Sequence, residues 1–195
     1  MKALVKVMYE DQQAAGTNEF GLHILVRRCV LDQLGWSDDR WSELKELLHG
    51  HAMKGDAKLL SACESEREAR GFPHVFVVFD DDKIRGRLGL QRSACKTTVR
   101  QAVHARSRFA DQLRVVLLGD NMESVVAAVE RCRGRSEPAK LKPPMRDSVL
   151  ASIAWRPDFA ALRECVLDGV PSLRYLVTRL AQIVRQYDVA ARAGS

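Results

Sequence analysis

Short apolar runs alternate along the chain with longer segments in which apolar residues recur at helical spacing. Residues 3–9 (ALVKVMY), 74–80 (HVFVVFD) and 113–119 (LRVVLLG) are short, apolar and partly β-branched, which predicts three buried strands. A further short strand and a turn are predicted within HGHAMKGD, residues 49–56. Such near-continuous apolar strands are typical of a parallel sheet that is covered on both faces.

The remaining segments carry the helical pattern. Asn18 and Asp56 are the residue types that cap helix N-termini, and each precedes or opens such a segment. The predicted helices cover residues 19–34, 39–49, 56–70, 94–107, 121–133, 145–155, 158–167 and 171–192. The alternation of strands and helices predicts an α/β fold, a parallel sheet with helices on both faces.

The pattern of alternation stops in the last third of the chain. RGRSEPAKLKPP (133–144) is charged and contains three prolines, which is typical of a connector, and only helices are predicted beyond it. We therefore divide the chain into an α/β core (1–133), a connector (134–144) and an all-helical C-terminal extension (145–195) that packs on the core.

The composition suits a globular protein with a polyanionic partner. Of the 195 residues, 46% are hydrophobic and 29% charged, and the net charge of +6 favours binding to nucleic acid. No apolar stretch is long enough to cross a bilayer, and the N-terminus does not resemble a signal peptide, so we expect a cytoplasmic protein without a membrane partner. The five cysteines form no CxxC pair, so we expect buried thiols rather than a zinc ribbon or a disulfide framework.

Acidic residues follow three of the predicted strands. Glu10 and Asp11 end the first, three consecutive aspartates (80–82) end the next, and Asp120, Asn121 and Glu123 follow the third. Because the carboxyl ends of parallel strands meet at one edge of a sheet, we expect these groups to converge. Like charges at close range repel, and Mg²⁺ or Mn²⁺, which prefer oxygen ligands, would relieve that repulsion.

This pattern resembles the TOPRIM domain of topoisomerases, primases and OLD-type nucleases, a Rossmann-like fold, over about residues 1–133. The matching residues are Glu10 in VKVMYED, Asp80 and Asp82 in VFVVFDDD, and Glu123 in VVLLGDNMES. The resemblance implies that Glu10 is a general acid/base and metal ligand, and that Asp80 and Asp82 hold Mg²⁺. It also implies that Glu123 completes a second metal position.

Small stand-alone TOPRIM-like proteins of bacteria are similar to the whole chain, and several belong to phage-defence or mobile-element loci. The family's first motif continues from glutamate into glycine and an acidic residue, whereas here Gly16 and Glu19 are displaced within EDQQAAGTNE. Either an insertion lengthens this loop and Glu19 takes the second acidic role, or Glu10 is not the catalytic glutamate. In the first case, the resemblance implies a metal-dependent nuclease. The alternative is a catalytically degenerate sensor or interaction subunit of a defence complex, with a partner protein.

Several basic residues are candidates for contacts with nucleic acid near the predicted site. A cation there would stabilise the charge of the transition state. The candidates are Lys54, Lys58, Lys83 and Arg85. The C-terminal segment adds phosphate-binding candidates, namely Lys140, Lys142, Arg146, Arg174, Arg179 and Arg185.

Other interpretations of the same motifs are open. Haloacid-dehalogenase-type phosphatases also place Asp-x-Asp after a strand, but there it closes the first core strand, whereas here a strand precedes it. DDK (81–83) fits the Asp/Glu-x-Lys pattern of restriction-type nucleases, without an evident strand to carry it. His49 and His51 have the spacing of a metal pair but no second cluster, and His23 is expected to be structural.

Overall fold

The computed structural model describes residues 3–10, 20–119, 122–135 and 141–193, without the side chains of Asp82, Met122, Pro143 and Pro157. The predictions made for Asp11, Gly16, Asn18, Glu19, Asp120, Asn121 and Lys140 lie outside these residues. The four strands are β1 (Val5–Tyr9), β2 (Leu48–Ala52), β3 (His74–Asp80) and β4 (Leu113–Leu118). The helices are α1 (Gly21–Leu34), α2 (Trp41–Leu47), α3 (Asp56–Cys63), α4 (Asp81–Arg87), α5 (Lys96–Arg106), α6 (Met122–Cys132), α7 (Pro143–Ala154), α8 (Ala160–Gly169) and α9 (Pro171–Ala193).

The strands form one parallel sheet in the order β2-β1-β3-β4. Tyr9 lies opposite Val78, and Asp80 lies opposite Leu118, so the strands end at the same edge. Successive side chains of a strand point to opposite faces, and here both sets are apolar and buried. The predicted α/β class with a parallel sheet is confirmed.

Helices cover both faces of the sheet. One hydrophobic cluster joins Phe76 and Val78 of β3 to α1, α2 and the helices from α6 onward. The other joins Val75, Val77 and Phe79 to α3, α4 and α5. The C-terminal helices α7–α9 belong to the first cluster, so they share a core with the sheet. Among the described residues, no helix has the length and hydrophobicity to span a membrane.

The predicted helices differ from the structure in three places. The helix predicted over residues 39–49 ends at Leu47, because residues 48 and 49 belong to β2. The helix predicted to run to about Arg70 ends at Cys63, because the following residues are polar and give no continuous apolar face to bury. A helix that was not predicted, α4, begins at Asp81. Its acidic start complements the helix dipole, and Arg85 Nη1 lies 2.6 Å from Asp81 Oδ1, one turn away.

The expectation for the cysteines was also wrong in part. Cys132 of α6 and Cys165 of α8 form a disulfide, with their Cα atoms 6.0 Å apart. These two helices pack against each other, which brings together cysteines that are 33 residues apart in the sequence. Cys29 and Cys63 are buried thiols, as expected, whereas Cys95 is exposed.

Candidate functional site

The ends of β1 and β3 bring two of the predicted carboxylates together. The Glu10 backbone N–H donates to the carbonyl of Val78 at 3.2 Å, which extends the pairing of the two strands by one residue. The Glu10 carboxylate in turn accepts a hydrogen bond from the backbone N–H of Asp80 at 3.0 Å. The first acidic residue after β1 is therefore fixed against the last residue of β3, as the parallel sheet predicts.

The Glu10 carboxylate lies in an unfavourable electrostatic environment. Its side chain is only 6% exposed, and burial together with the nearby charge of Asp80 raises its pKa to about 7. The hydrogen bond from Asp80 and the charge of Lys83, whose Nζ lies 3.9 Å from Oε1, oppose this rise without cancelling it. Near neutral pH, Glu10 therefore exists as a mixture of its protonated and ionised forms.

A third carboxylate, Asp56, adds negative charge to this edge of the sheet. Asp56 opens α3, after the short turn that follows β2, and its charge contributes to the raised pKa of Glu10. Burial raises the pKa of Asp56 itself, but hydrogen bonds from the Arg87 guanidinium at 3.1 and 3.3 Å and from the Ala57 N–H outweigh burial and leave it below its ordinary value. The sequence pattern predicts Asp56 only as a helix cap, although its position between β2 and α3 was a signal for this edge.

The aspartate triplet does not act as one group. Asp80 ends β3, and its charge acts on Glu10. Asp81 is buried and pairs with Arg85 at 2.6 Å and with Lys96 at 3.7 Å, so protein cations already balance its charge. Asp82 is the second residue of α4, and its side chain lies outside the described part of the structure.

Glu123 has a different partner. It lies in the first turn of α6, and its half-exposed carboxylate forms an ion pair with Arg146 of α7. Within the described residues, no three His, Cys, Asp or Glu side chains are arranged as a metal-binding group, so Glu10, Asp80 and Glu123 do not form one. The predicted residues that converge are Glu10 and Asp80, and the metal role of Glu123 stays a prediction.

The four basic candidates differ in their surroundings. Lys83 is 56% exposed and lies next to Glu10, whereas Lys54 and Lys58 are exposed near the start of α3. Arg85 is mostly buried and donates to the carbonyl of Ala94 and to Asp81, so its guanidinium holds α4 against the following loop. Lys83 is therefore the candidate whose charge lies closest to the carboxylate pair.

Among the described residues, His49 and His51 belong to no group of three possible metal ligands, and His23 lies in the core. His23 is fully buried, with Nδ1 2.9 Å from the Tyr9 hydroxyl and Nε2 3.3 Å from the carbonyl of Leu48. Burial holds the pKa of His23 well below its ordinary value, so the ring is neutral and links α1 to β1 and β2. Tyr9 directly precedes Glu10, so these contacts help to fix the end of β1.

Comparison with known proteins gives no further assignment, because no family model, curated protein or solved structure matches this chain. The chemistry of the site thus depends on its own geometry. Two carboxylates, one of them with a pKa near neutrality, and an adjacent lysine are suited to bind a cation and to transfer a proton.

Proposed function

We propose that this chain is a TOPRIM-like, divalent-metal-dependent nuclease that hydrolyses phosphodiester bonds of nucleic acid at the Glu10–Asp80 pair. The observation that carries the proposal is the fixed contact between Glu10 and the end of β3. It fixes the buried Glu10 carboxylate next to Asp80, where burial and the charge of Asp80 make ionisation of Glu10 costly. A divalent cation would remove that cost.

The donor set fits a hard cation that keeps most of its water. Mg²⁺ is commonly held by one or two protein carboxylates, with waters and substrate phosphate completing its shell. Glu10 and Asp80 would supply those carboxylates, and Asp82 is the predicted third ligand. When bound, Mg²⁺ or Mn²⁺ would polarise the phosphate and supply an activated water.

The residues around the pair have separate roles in the proposal. Glu10, with a pKa of about 7, is suited to accept a proton from the attacking water and to return one to the leaving oxygen. Lys83, 3.9 Å from Glu10, would offset the charge that develops on the phosphate. The net charge of +6 agrees with a nucleic-acid substrate. The cytoplasmic location and the link to phage defence remain parts of the proposal.

Cleavage assays with purified protein test this function. Plasmid, single-stranded DNA and RNA are incubated with Mg²⁺, Mn²⁺ or EDTA. We expect metal-dependent cleavage that falls at least about a hundredfold in Glu10→Gln and Asp80→Asn, as for loss of a general base or metal ligand. Asp111→Asn is the matched control, because it removes one carboxylate just before β4, at the opposite edge of the sheet. Equal activity in Glu10→Gln and wild type would refute the assignment.

A second candidate function is a catalytically degenerate sensor or interaction subunit. The absence of a three-ligand group among the described residues and the Glu123–Arg146 ion pair favour it. In that case the protein would bind nucleic acid or a partner subunit without cleaving. Calorimetry with Mn²⁺ separates the candidates, since only the nuclease requires an ion that depends on Asp80.

A further inference from the structure

A basic groove runs beside β4, the outer strand of the sheet. The cavity, of about 420 Å³, lies beside the edge strand β4, between α5 and the first turns of α9. Its polar lining comes from both helices and from the strand, namely Lys96, Arg100, His104, Arg114, Ser172 and Tyr175. None of the residues that line it in the described structure is acidic. The groove is therefore a concave surface with an excess of positive charge.

Three of the polar residues that line the groove are evenly spaced along α5. Lys96, Arg100 and His104 are four residues apart on α5, so they form one stripe along the helix. At 1.5 Å per residue, successive members are about 6 Å apart and the stripe is about 12 Å long. Arg114 of β4 lines the same groove and lies close enough to His104 for its charge to act on that ring. One phosphate cannot contact both ends of this stripe, whereas a ligand with repeated negative charges can.

A buried donor without a partner in the described part of the structure indicates that the side chains of the groove suit an anion. The Nε atom of Arg100 is buried and has no hydrogen-bond partner among the described residues. Such a donor is costly to bury unless a ligand supplies an acceptor. Burial and, after it, the charge of Arg114 lower the pKa of His104, which favours its neutral ring beside the cations of the groove. A bound anion would supply an acceptor for Arg100 and offset the positive charge of Arg100 and Arg114.

One end of the groove lies near the candidate active site. Lys96, at its upper end, lies 3.7 Å from the carboxylate of Asp81, the residue after Asp80. At the other side of the groove, the Tyr175 side chain is 44% exposed and offers a ring on which a base can stack. A chain bound along α5 would therefore lead to the Glu10–Asp80 edge.

We propose that the groove between α5, β4 and the start of α9 binds the phosphodiester backbone of a nucleic-acid strand and directs it toward Glu10 and Asp80. The direction toward a cleavage site rests on the proposed nuclease function. Binding in the groove does not, because it needs neither the metal nor Glu10.

Fluorescence anisotropy in EDTA tests binding without cleavage. The probes are labelled single-stranded DNA, RNA of the same sequence and a DNA duplex, each titrated at several salt concentrations. We expect Arg100→Gln/Arg114→Gln to weaken binding about tenfold or more, and to reduce the salt slope by about 1.4 for a single strand, as for the loss of two phosphate contacts. Comparison of the affinities for the three probes identifies which form of nucleic acid the groove binds.

Two further variants keep the test decisive. Arg106→Gln removes an exposed arginine from the same helix but outside the groove, and we expect wild-type affinity. Lys96→Gln changes a half-exposed side chain whose partner, Asp81, keeps its closer ion pair with Arg85, and we expect about threefold weaker binding. If the double variant is misfolded by circular dichroism, Lys96→Gln alone decides the test.

The outcomes test the proposed groove and the proposed nuclease activity independently. Wild-type affinity in the groove variants, equal weakening by Arg106→Gln, or equally tight binding of poly-glutamate would overturn the assignment of the groove to nucleic acid. Groove-dependent binding without cleavage under any metal condition would support the groove and refute the nuclease. Cleavage that depends on Glu10 but not on Arg100, Arg114 or Lys96 would support the nuclease and refute the groove.

Discussion

Replacement of Glu10 by glutamine should stabilise the folded protein, and by an amount that depends on pH. The folded pKa of Glu10 is about 7, against an ordinary value of 4.5. At about 1.4 kcal/mol per pKa unit, this difference corresponds to about 3 kcal/mol. Glutamine keeps an oxygen that can accept from the Asp80 N–H but loses the ion pair with Lys83. We therefore expect a net gain of about 1–3 kcal/mol.

The sign of the pH dependence follows from the direction of the pKa shift. A carboxyl whose pKa is raised by folding favours the folded state while it is protonated, below about 4.5, and loses that contribution as the pH rises to about 7. Glu10→Gln imitates the protonated form at every pH. The variant and the wild type should thus unfold with similar free energies at pH 4.5, and the variant should be more stable at pH 8.

Urea unfolding in EDTA, followed by tryptophan fluorescence, measures this difference. Both proteins are compared at pH 4.5, 6 and 8, with Asp111→Asn as the control for removal of an exposed carboxylate. Added Mg²⁺ at pH 8 should stabilise the wild type more than Glu10→Gln. The electrostatic argument would be refuted if the difference in unfolding free energy between Glu10→Gln and wild type were the same at all three values of pH. It would also be refuted if Glu10→Gln were less stable than wild type at pH 8.

Three further variants test the packing that holds the C-terminal helices and the sheet. Cys132→Ser, which removes the bridge to Cys165, should lower the unfolding free energy by about 2–4 kcal/mol under non-reducing conditions, and equal stability with and without dithiothreitol in the wild type would contradict this. Arg163→Ala breaks the ion pair between the buried Arg163 guanidinium of α8 and the partly exposed Asp32 of α1 and should cost about 1.5–3 kcal/mol in urea unfolding; a cost below about 1 kcal/mol would argue against that pair. Gly50→Ala would place a Cβ 2.3 Å from the His23 ring, so we expect a loss of about 1–3 kcal/mol in thermal melts, and an unchanged melting temperature would show that β2 has room there.

The fold could be predicted from the sequence because its strands are buried on both faces. A segment such as HVFVVFD is apolar at almost every position, and this pattern identified β3 at the bounds that the structure has. Helix α4 could not be found in the same way, because its sequence, DDKIRGR, has a single large apolar residue. Its stability depends instead on the Arg85–Asp81 pair and on burial of Ile84 against the sheet.

Only the part of the candidate site that lies at the ends of neighbouring strands could be predicted from the sequence. Glu10 and Asp80 directly adjoin the ends of neighbouring parallel strands, so their contact follows from the sheet. The ion pair of Glu123 with Arg146 depends on how α7 packs beside α6, and no local sequence pattern predicts that packing. The pairing of Cys132 with Cys165 and the approach of Arg114 to the α5 stripe depend in the same way on tertiary packing.

The central claim is that Glu10 and Asp80 share one divalent cation. Titration calorimetry with Mn²⁺ at pH 7, in two buffers of different ionisation enthalpy, tests it most directly. We predict one bound ion per chain with release of about half a proton from Glu10, whose pKa is about 7, and loss of binding in Asp80→Asn. Absence of binding to the wild type, or equal affinity in Asp80→Asn, would contradict the claim.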